Sequence, residues 1–338
     1  MNSSITQTQL RHGGSWVTAG WLRRLASARL TLAIIVLLAL GVMAYWPAVG
    51  RGAWLVITPL TLGAINLIAA ILTNEVLRRS PALLLFHFAL LAIVVLAAAG
   101  RLSYLKGQLE LAEGETFSGQ LTQSESGPWH RSRLDQAAFR NDGYTIRYAK
   151  GVKRADTRNA VQWLDEAGNP QQAVIGDHTP LTRQGYKFYT SFNKGFAPVF
   201  IWQPQRGAPQ RGSINLPAYP IHEYRQALDW TLPGTQTAVW TQLQFAEVLL
   251  DPLRPSQLRV PAQHKLVLRI GEARYELTPG MQIALPQGVL TYERLTLWMG
   301  YSVFYDWTLP WLAAACFFAV AAMGWHFWRR FAAAPWDA

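Results

Sequence analysis

Four long apolar segments constrain what this chain can fold into more than any other feature of its 338 residues. A helix needs roughly 20 apolar residues to cross the hydrocarbon core of a bilayer, which is about 30 Å thick. The segments that reach or approach this length are residues 30–46, 53–73, 82–99 and 307–327. Half of all residues are hydrophobic and 15% are charged, as in a membrane protein. We therefore predict four transmembrane helices, three near the N-terminus and one near the C-terminus.

The basic residues outside residues 100–307 predict the orientation of these helices. Eight of the nine lie before the first span, between the second and third spans, or after the fourth, namely Arg11, Arg23, Arg24, Arg29, Arg78, Arg79, Arg329 and Arg330. The positive-inside rule then places both termini in the cytoplasm and the large domain outside, in a multi-pass protein of the plasma (inner) membrane. Much of the net charge of +11 reflects this topology, so we expect no nucleic-acid partner.

Shifts in composition divide the chain into five parts. These are a basic cytoplasmic N-terminus (1–29), three transmembrane helices (30–99), an extracytoplasmic β-rich domain (100–306), the fourth transmembrane helix (307–327) and a cytoplasmic tail (328–338). Within the first part, residues 15–27 mix Trp and Leu with two arginines. This pattern is typical of a short interfacial helix, and a disordered basic tail is the alternative.

The large domain carries the pattern of β-strands. Stretches such as "YTIRYAKG", "YKFYTSF" and "HKLVLRIG" are rich in aromatic and β-branched residues and lie between Gly, Pro, Asn and Asp breakers. Leu266, Leu268 and Ile270 alternate at period two, and a hairpin turn is expected near Gly271. Only residues 236–250 could hold a helix. The predicted fold class is an α+β membrane protein whose antiparallel sheets form a sandwich or an open barrel.

Familiar enzyme and metal-site motifs are missing from the sequence. It contains no GxSxG, HExxH or P-loop, and we assign no catalytic residue. Cys316 is the sole cysteine, which excludes an internal disulfide and any CxxC redox or zinc motif. His222 and Glu223 are adjacent, but a strand would direct them to opposite faces, so a surface pair is favoured over a metal site.

The order of three spans, a large outer β domain and one span resembles the ResB/CcsB family of cytochrome c biogenesis proteins, part of the System II machinery. The stretches that carry the resemblance are "LRRLASARLTLAIIVLLAL", "LLLFHFALLAIVVLAAAGRLSYLKGQLELAEGETF" with its Gly114–Glu115 pair, "TPLTRQGYKFYTSFN" and "GYSVFYDWTLPWL". The chain departs from the family where Asp306 is followed by Trp-Thr-Leu-Pro instead of Pro-Gly, and its outer domain is short. Whether it is a housekeeping member or a specialised paralogue stays open.

The resemblance implies a function in haem delivery. A protein of this family is a subunit of a cytochrome c synthetase complex that exports haem and supports its covalent attachment to apocytochrome c. The implied partners are a CcsA/ResC-type membrane protein with a Trp-rich loop, apocytochrome c and, indirectly, thiol-reducing thioredoxin-like proteins. We expect haem to be bound transiently and shared with the partner, and we expect no catalysis by this chain alone.

His87 is the main candidate for a cofactor-binding residue. It lies about six residues into the third span, so roughly 9 Å deep, on the cytoplasmic side of the predicted topology. Its imidazole can be an axial ligand of haem iron, or it can form a helix–helix hydrogen bond with Asn66 or Thr61 on the second span. The family has a haem-ligating His early in this span, which favours the ligand. The residues expected to share its helix face are Leu83, Leu84, Leu90 and Leu91, whereas Phe86 and Phe88 point elsewhere.

The other candidates are weaker. His326 and Arg329 close the fourth span, where interface anchoring is favoured over a haem contact. The remaining histidines of the outer domain are predicted to be structural or on the surface: His130, His178, His222 and His264. The aromatic stretch "KFYTSFNKGFAPVFIW" is either a docking face or sheet core.

Two rival functions follow from these residues. The first is a scaffold or assembly factor that binds no haem. The second is an electron-transfer subunit in which His87 and His326, both near the cytoplasmic side, hold a haem b within one chain.

Overall fold

The computed structural model describes residues 15–45, 52–220 and 226–332, which divide into two compact units. The first unit contains the helices and the segment Glu125–His130, and the second contains nearly all of the β-structure. The helices of the first unit are α1 (Ser15–Leu25), α2 (Ala28–Tyr45), α3 (Ala53–Thr73), α4 (Glu75–Arg79), α5 (Pro81–Ser103) and α6 (Leu309–Phe331). Within the described ranges four of them, α2, α3, α5 and α6, are long and apolar enough to cross a membrane.

The predicted fold class is confirmed by these four helices together with antiparallel β-sheets. The helix α1 lies inside the stretch 15–27, and its place at a membrane interface stays a prediction. The helix α6 begins two residues later than expected and continues to Phe331, so Arg329 and Arg330 belong to its last turn.

The ends of α5 also differ from the predicted span 82–99. The side chain of Ser80 caps the start of the helix by accepting a hydrogen bond from Leu83 N, and Pro81 follows at the first position, where its missing N–H costs nothing. At the other end the helix continues through Gly100 and Arg101 to Ser103. Hydropathy marks the apolar core of a span, whereas capping side chains decide where its helix ends.

The helices of the first unit pack in the order α2, α3, α5, α6. A Cβ atom added at Gly63 of α3 would lie 3.7 Å from Ile34 Cγ2 on α2 and 3.9 Å from Val94 Cγ1 on α5. The helix α6 buries a stripe of small residues, Ala315, Ala319 and Ala322. Small side chains let membrane helices approach closely, so these positions help the four helices to pack as a bundle.

The second unit is built from three antiparallel sheets. Its strands are β1 (Leu105–Ala112), β2 (Gln123–Ser126), β3 (Arg140–Ala149), β4 (Lys153–Leu164), β5 (Pro170–Gly176), β6 (Leu181–Arg183), β7 (Tyr186–Pro204), β8 (Gln210–Ser213), β9 (Ala227–Thr231), β10 (Ala238–Gln244), β11 (Ser256–Leu258), β12 (Lys265–Ile270), β13 (Ala273–Leu277), β14 (Gln282–Leu285) and β15 (Gly288–Tyr305). The sheet orders are β2-β1-β15-β7-β6, with β14 and β8 attached, then β13-β12-β10-β9, and β11-β3-β4-β5. The sandwich or open barrel expected from the sequence is thus three sheets that share one apolar core.

An aromatic cluster forms the centre of this core. The ring of Phe139 lies 5.0 Å from that of Phe188 and 5.5 Å from that of Tyr301, both nearly edge to face. The Tyr301 hydroxyl donates to Asn159 Oδ1 at 2.7 Å, and the Asn159 amide donates to Asn141 Oδ1 at 2.7 Å. Because all three polar side chains are buried, this network holds the sheets in one arrangement.

Two local predictions in this unit have different outcomes. The hairpin is confirmed, since β12 pairs with β13 and Gly271 lies in the turn with a φ of 56°. The suggestion of a helix over residues 236–250 is wrong, because Ala238–Gln244 is strand β10 and pairs with both β9 and β12. The Val and Thr residues of this stretch favour the extended backbone, and pairing on both sides stabilises it.

Candidate functional site

His87 lies on the second turn of α5, and its two ring nitrogens have different environments. Nδ1 is 2.7 Å from the carbonyl oxygen of Leu83, one turn earlier. A carbonyl oxygen only accepts, so Nδ1 carries the proton and donates it. Nε2 then holds a lone pair, and among the described residues it has no hydrogen-bond partner. A histidine that binds a metal ion through one nitrogen commonly has this arrangement at the other.

The helix geometry of α5 directs His87 towards α3. His87 precedes Val94 by seven residues, or two turns, and Val94 lies close to Gly63 of α3. The opposite side of α5 carries Leu85 and Ala89, which line an apolar groove of about 580 Å³ against α6. Leu85 and Ala89 are each two residues from His87. At about 100° per residue, their side chains therefore point roughly 160° away from the imidazole. The imidazole therefore faces α3 and not α6.

Apolar side chains surround His87, as expected. Leu83, Leu84, Leu90 and Leu91 are all partly buried on α5. The ring of Phe86 meets the imidazole edge-on, with 5.4 Å between the ring centroids, whereas Phe88 lines the groove against α6. These apolar neighbours leave Nε2 in an environment of low polarity.

Among the described residues, His87 forms no hydrogen bond with α3, which is the alternative role expected from the sequence. Asn66 accepts from the Thr31 hydroxyl at 2.8 Å and donates to the carbonyl oxygen of Leu25 at 2.5 Å, so it ties α3 to α1 and α2. The hydroxyl of Thr61 donates to Ile57 O at 2.9 Å within its own helix. Both proposed partners therefore use their polar atoms elsewhere.

His326 and Arg329, three residues apart on α6, differ in exposure. His326 follows Ala322 by one turn, on the stripe of small buried residues, and is partly buried. Arg329 is exposed, as is Arg330. Because His87 points away from α6, helical geometry does not bring His87 and His326 together as two ligands of one iron. The structure gives no support to the rival function as a haem b subunit within one chain.

A cluster of polar side chains that the sequence does not predict lies at the C-terminal end of α5. Tyr45 and Tyr104 both donate to Oε1 of Glu125, and their own hydroxyls are 3.1 Å apart. The guanidinium of Arg101 lies over both rings and 3.8 Å from Glu125. Burial and the hydrogen bond to Glu125 raise the pKa of Tyr104. Tyr45, Tyr104 and Glu125 are far apart in sequence, so only the fold reveals that they meet.

The segment Glu125–His130 also satisfies the last carbonyl groups of α5. Gly127 N donates to Tyr104 O at 2.9 Å, Trp129 N donates to Leu102 O at 2.8 Å, and His130 Nδ1 donates to Ser103 O at 2.8 Å. Helix ends leave such carbonyl groups without partners, so this segment is a structural cap. The prediction that His130 has a structural role is consistent with this contact.

The family-like motifs of the β-unit have structural roles in the fold. The Gly114–Glu115 pair forms the turn after β1, where Gly114 N donates to Asn141 O at 2.7 Å and the Glu115 carboxylate accepts from Ala112 N. The stretch "PLTRQGYKFYTSFN" forms strand β6, a two-residue turn at Gln184 and Gly185 with positive φ at both, and the start of β7. This is the turn type whose twist matches a β-hairpin.

Of the other candidates, His264 has structural contacts, whereas the rest are exposed or lie outside the described residues. His264 donates from Nδ1 to Pro261 O and accepts at Nε2 from the Tyr292 hydroxyl at 2.8 Å. His178 and Cys316 are exposed. His222 and Glu223 lie outside the described residues. Within the described part of the chain, no group of three or more His, Cys, Asp or Glu side chains could hold a metal ion.

Comparison with models of protein families gives a match to part of the chain. The model of the ResB-like family matches residues 77–222, a segment that runs from α4 through α5 and the first eight strands to the loop after β8. No curated protein matches the chain. The matched segment contains His87, the Gly114–Glu115 turn and the hairpin at Gln184 and Gly185. Residues 77–222 therefore resemble the ResB-like family, as the sequence motifs suggest.

Proposed function

We propose that this protein is the ResB-like subunit of a membrane complex that exports haem and supports its covalent attachment to apocytochrome c. The observation that carries the proposal is the state of His87. Its Nδ1 proton is held by Leu83 O, and Nε2 is available as an iron ligand in an apolar, membrane-spanning helix within the ResB-like segment. A polar ring in such a segment is costly and points to a function.

The residues around His87 fit a haem group. When bound, haem would supply an iron atom, and the neutral imidazole of His87 would be a suitable ligand for it. Leu83 holds the ring orientation and the tautomer, while Leu84, Leu90 and Leu91 offer apolar surface for a porphyrin. Because His326 is directed differently, the second ligand comes from the partner, a CcsA/ResC-type protein with a Trp-rich loop. The complex, and not this chain alone, then performs the attachment.

The test is the optical spectrum of the chain purified together with its partner. His87→Ala is expected to remove most of the bound haem or to shift the bands of its axial ligation. His326→Ala is the matched control, since it removes another histidine of a spanning helix and is expected to leave the spectrum unchanged. An unaltered spectrum in His87→Ala would refute the ligand. Normal cytochrome c assembly by a complex that never contains haem would favour the rival function, a haem-free scaffold.

The proposal includes an orientation. The arginine distribution favours cytoplasmic termini and an extracytoplasmic β-unit, in the plasma (inner) membrane. His87 then lies nearer the side on which haem is made. Fusions of alkaline phosphatase after Gly168, in a turn of the β-unit, and after the C-terminus test this directly. Phosphatase activity is expected from the first fusion and not from the second, and the reverse pattern would contradict the orientation.

A further inference from the structure

Strand β7 contains an irregularity that changes the direction of two side chains. Its pairing with β15 runs from Tyr301 opposite Thr190 to Met299 opposite Lys194, so three residues of β7, numbers 191–193, oppose Gly300 alone. A Cβ atom at Gly300 would lie 2.7 Å from Ser191 Oγ, so only glycine leaves room for this bulge. Bulges often redirect side chains near functional sites. Here Phe192 is 74% exposed, while Lys194 is only 5% exposed.

The ammonium group of Lys194 is buried with few partners. Nζ donates to the carbonyl oxygen of Phe192 at 3.0 Å and lies 5.8 Å from the centroid of the Tyr148 ring. An ammonium group has three N–H donors, so two stay available. In the described ranges, no carboxylate forms an ion pair with Lys194. A buried cation in this state is energetically costly unless an anion joins it.

Asp177, the carboxylate that acts electrostatically on Lys194, already has a cation. Asp177 Oδ1 lies 2.5 Å from Nη2 of Arg154. Arg154 also donates from Nε to Thr157 Oγ1 at 2.6 Å and from Nη1 to Ser191 O at 3.0 Å, and its guanidinium carbon is 5.0 Å from the centroid of the exposed Phe192 ring. Arg154 and Asp177 therefore compensate each other. The group formed by Lys194, Arg154 and Asp177 therefore has one excess positive charge, and that charge is on Lys194.

A second observation points to a ligand. Tyr148 is 96% buried, since only 4% of its surface is exposed, and its hydroxyl has no hydrogen-bond partner among the described residues. Buried hydroxyl groups are almost always paired, so an orphan beside a buried cation is unusual. A phenolic O–H and an ammonium group together can bind one small anion. The donors come from β3 and β7, two strands of different sheets.

We propose that Lys194 and Tyr148 form a binding site for a single carboxylate group, distinct from the membrane histidine and independent of the proposed haem function. One excess positive charge matches a monoanion, whereas a phosphate dianion would leave a buried negative charge. Burial and the charge of Arg154 lower the pKa of Lys194 to about 8, so the group is still protonated at neutral pH. The exposed ring of Phe192, next to Arg154, marks the side on which the ligand's body would lie.

The carboxylate can come from a small molecule or from an acidic residue of a polypeptide, and the experiment distinguishes these sources. Calorimetric titrations at pH 7 use the full chain in lipid nanodiscs. The probes are acetate, the capped tripeptide acetyl-Gly-Glu-Gly-amide, and acetamide and the Gln tripeptide as their uncharged controls. We expect at least one carboxylate probe to bind and neither uncharged probe to do so. Tighter binding of the Glu tripeptide identifies a polypeptide as the source, and tighter binding of acetate identifies a small carboxylate.

The matched variants are Lys194→Met and Lys187→Met, two lysines of the same strand of which only the first is buried. Affinity is expected to fall at least 10-fold in Lys194→Met and to stay unchanged in Lys187→Met. If Lys194→Met does not fold, Tyr148→Phe provides the second measurement, with an expected loss of several-fold. Binding that is equal in Lys194→Met, or in Tyr148→Phe if that variant has to replace it, would overturn the site. So would the absence of binding by both carboxylates.

Discussion

Nδ1 of His87 lies 2.7 Å from the carbonyl oxygen of Leu83, and this contact fixes which nitrogen of the ring carries the proton. A histidine that only stabilised the helix bundle would be expected to direct its other nitrogen to a neighbouring helix. Here the polar side chains of α3 that could receive it, Asn66 and Thr61, bind elsewhere. The contact thus leaves Nε2 available, as the proposed haem ligation requires.

The first prediction separates ligation from packing at His87. His87→Gly removes the imidazole, and the complex with the partner is expected to lose its bound haem. Added imidazole is expected to restore the haem spectrum, because a small ring can occupy the cavity and supply the same nitrogen. His326→Gly is the control and should show neither the loss nor the rescue. Failure of imidazole to restore haem in a folded His87→Gly complex would argue against ligation.

The second prediction concerns the buried network of the β-unit. Tyr301→Phe removes the donor of a 2.7 Å hydrogen bond and leaves Asn159 Oδ1 buried without it. The expected loss is about 1–3 kcal/mol in the free energy of unfolding, measured with urea. Tyr275→Phe is the control, since Tyr275 is partly exposed and makes no side-chain hydrogen bond with the described residues. Equal stability of the two variants would mean that the network does not stabilise the core.

The third prediction is a pH dependence that arises from Lys194. The pKa of Lys194 is lowered from 10.5 to about 8 in the folded chain, so the unfolded chain binds more protons between these values. The free energy of unfolding must therefore rise as the pH increases from about 8 to 10.5. This added stability is lost again as the pH falls through about 8. Thermal unfolding from pH 7 to 10.5, compared with Lys194→Met, isolates this effect. The difference in Tm between wild type and variant should change with pH, and a constant difference would contradict the lowered pKa.

The fourth prediction tests the contact between the end of α5 and the start of α6. A Cβ atom at Gly100 would lie 2.7 Å from Thr308 Oγ1 and 3.2 Å from Asp306 Oδ2. Thr308 cannot move freely, because its N–H and hydroxyl both donate to Asp306 Oδ1. Gly100→Ala is expected to cost about 1–3 kcal/mol through overpacking.

The control for this variant is Gly324→Ala on α6, where an added Cβ atom has no heavy atom within 4 Å. Alanine has the higher helix propensity, so this variant should be as stable as the wild type or more stable. Thermal unfolding of both variants in detergent gives the comparison. A Gly100→Ala chain as stable as Gly324→Ala would show that the helix end has room for a methyl group.

Much of the architecture follows from local patterns. The apolar run around His87 predicts a spanning helix because hydrocarbon requires that every backbone polar group be paired within the segment. The long strand Gly288–Tyr305 follows from its aromatic and β-branched residues. The hairpin at Gly271 follows from a turn residue between two such stretches. In each case neighbours along the sequence are also neighbours in the structure, so a window of about 20 residues is sufficient.

The bulge of β7 shows where local patterns are insufficient. Alternation places Phe192 on the same face as the buried Tyr186 and Phe188, yet Phe192 is 74% exposed. The partner strand decides this, because Gly300 on β15 leaves the space that lets the backbone of β7 bend outwards. A pattern of period two contains no information about a residue on another strand.

The sequence by itself determined that this is a membrane protein with four apolar helices and a β-domain, and that His87 is the polar exception within a span. Only the tertiary structure decided what the polar side chains do. It directs His87 away from His326, joins Tyr104 to Glu125, and places Lys194 near Tyr148, whose hydroxyl has no hydrogen-bond partner among the described residues. The physical reason is that hydrophobic burial depends on composition within a segment, whereas hydrogen bonds and ion pairs depend on distances between segments that are remote in the chain.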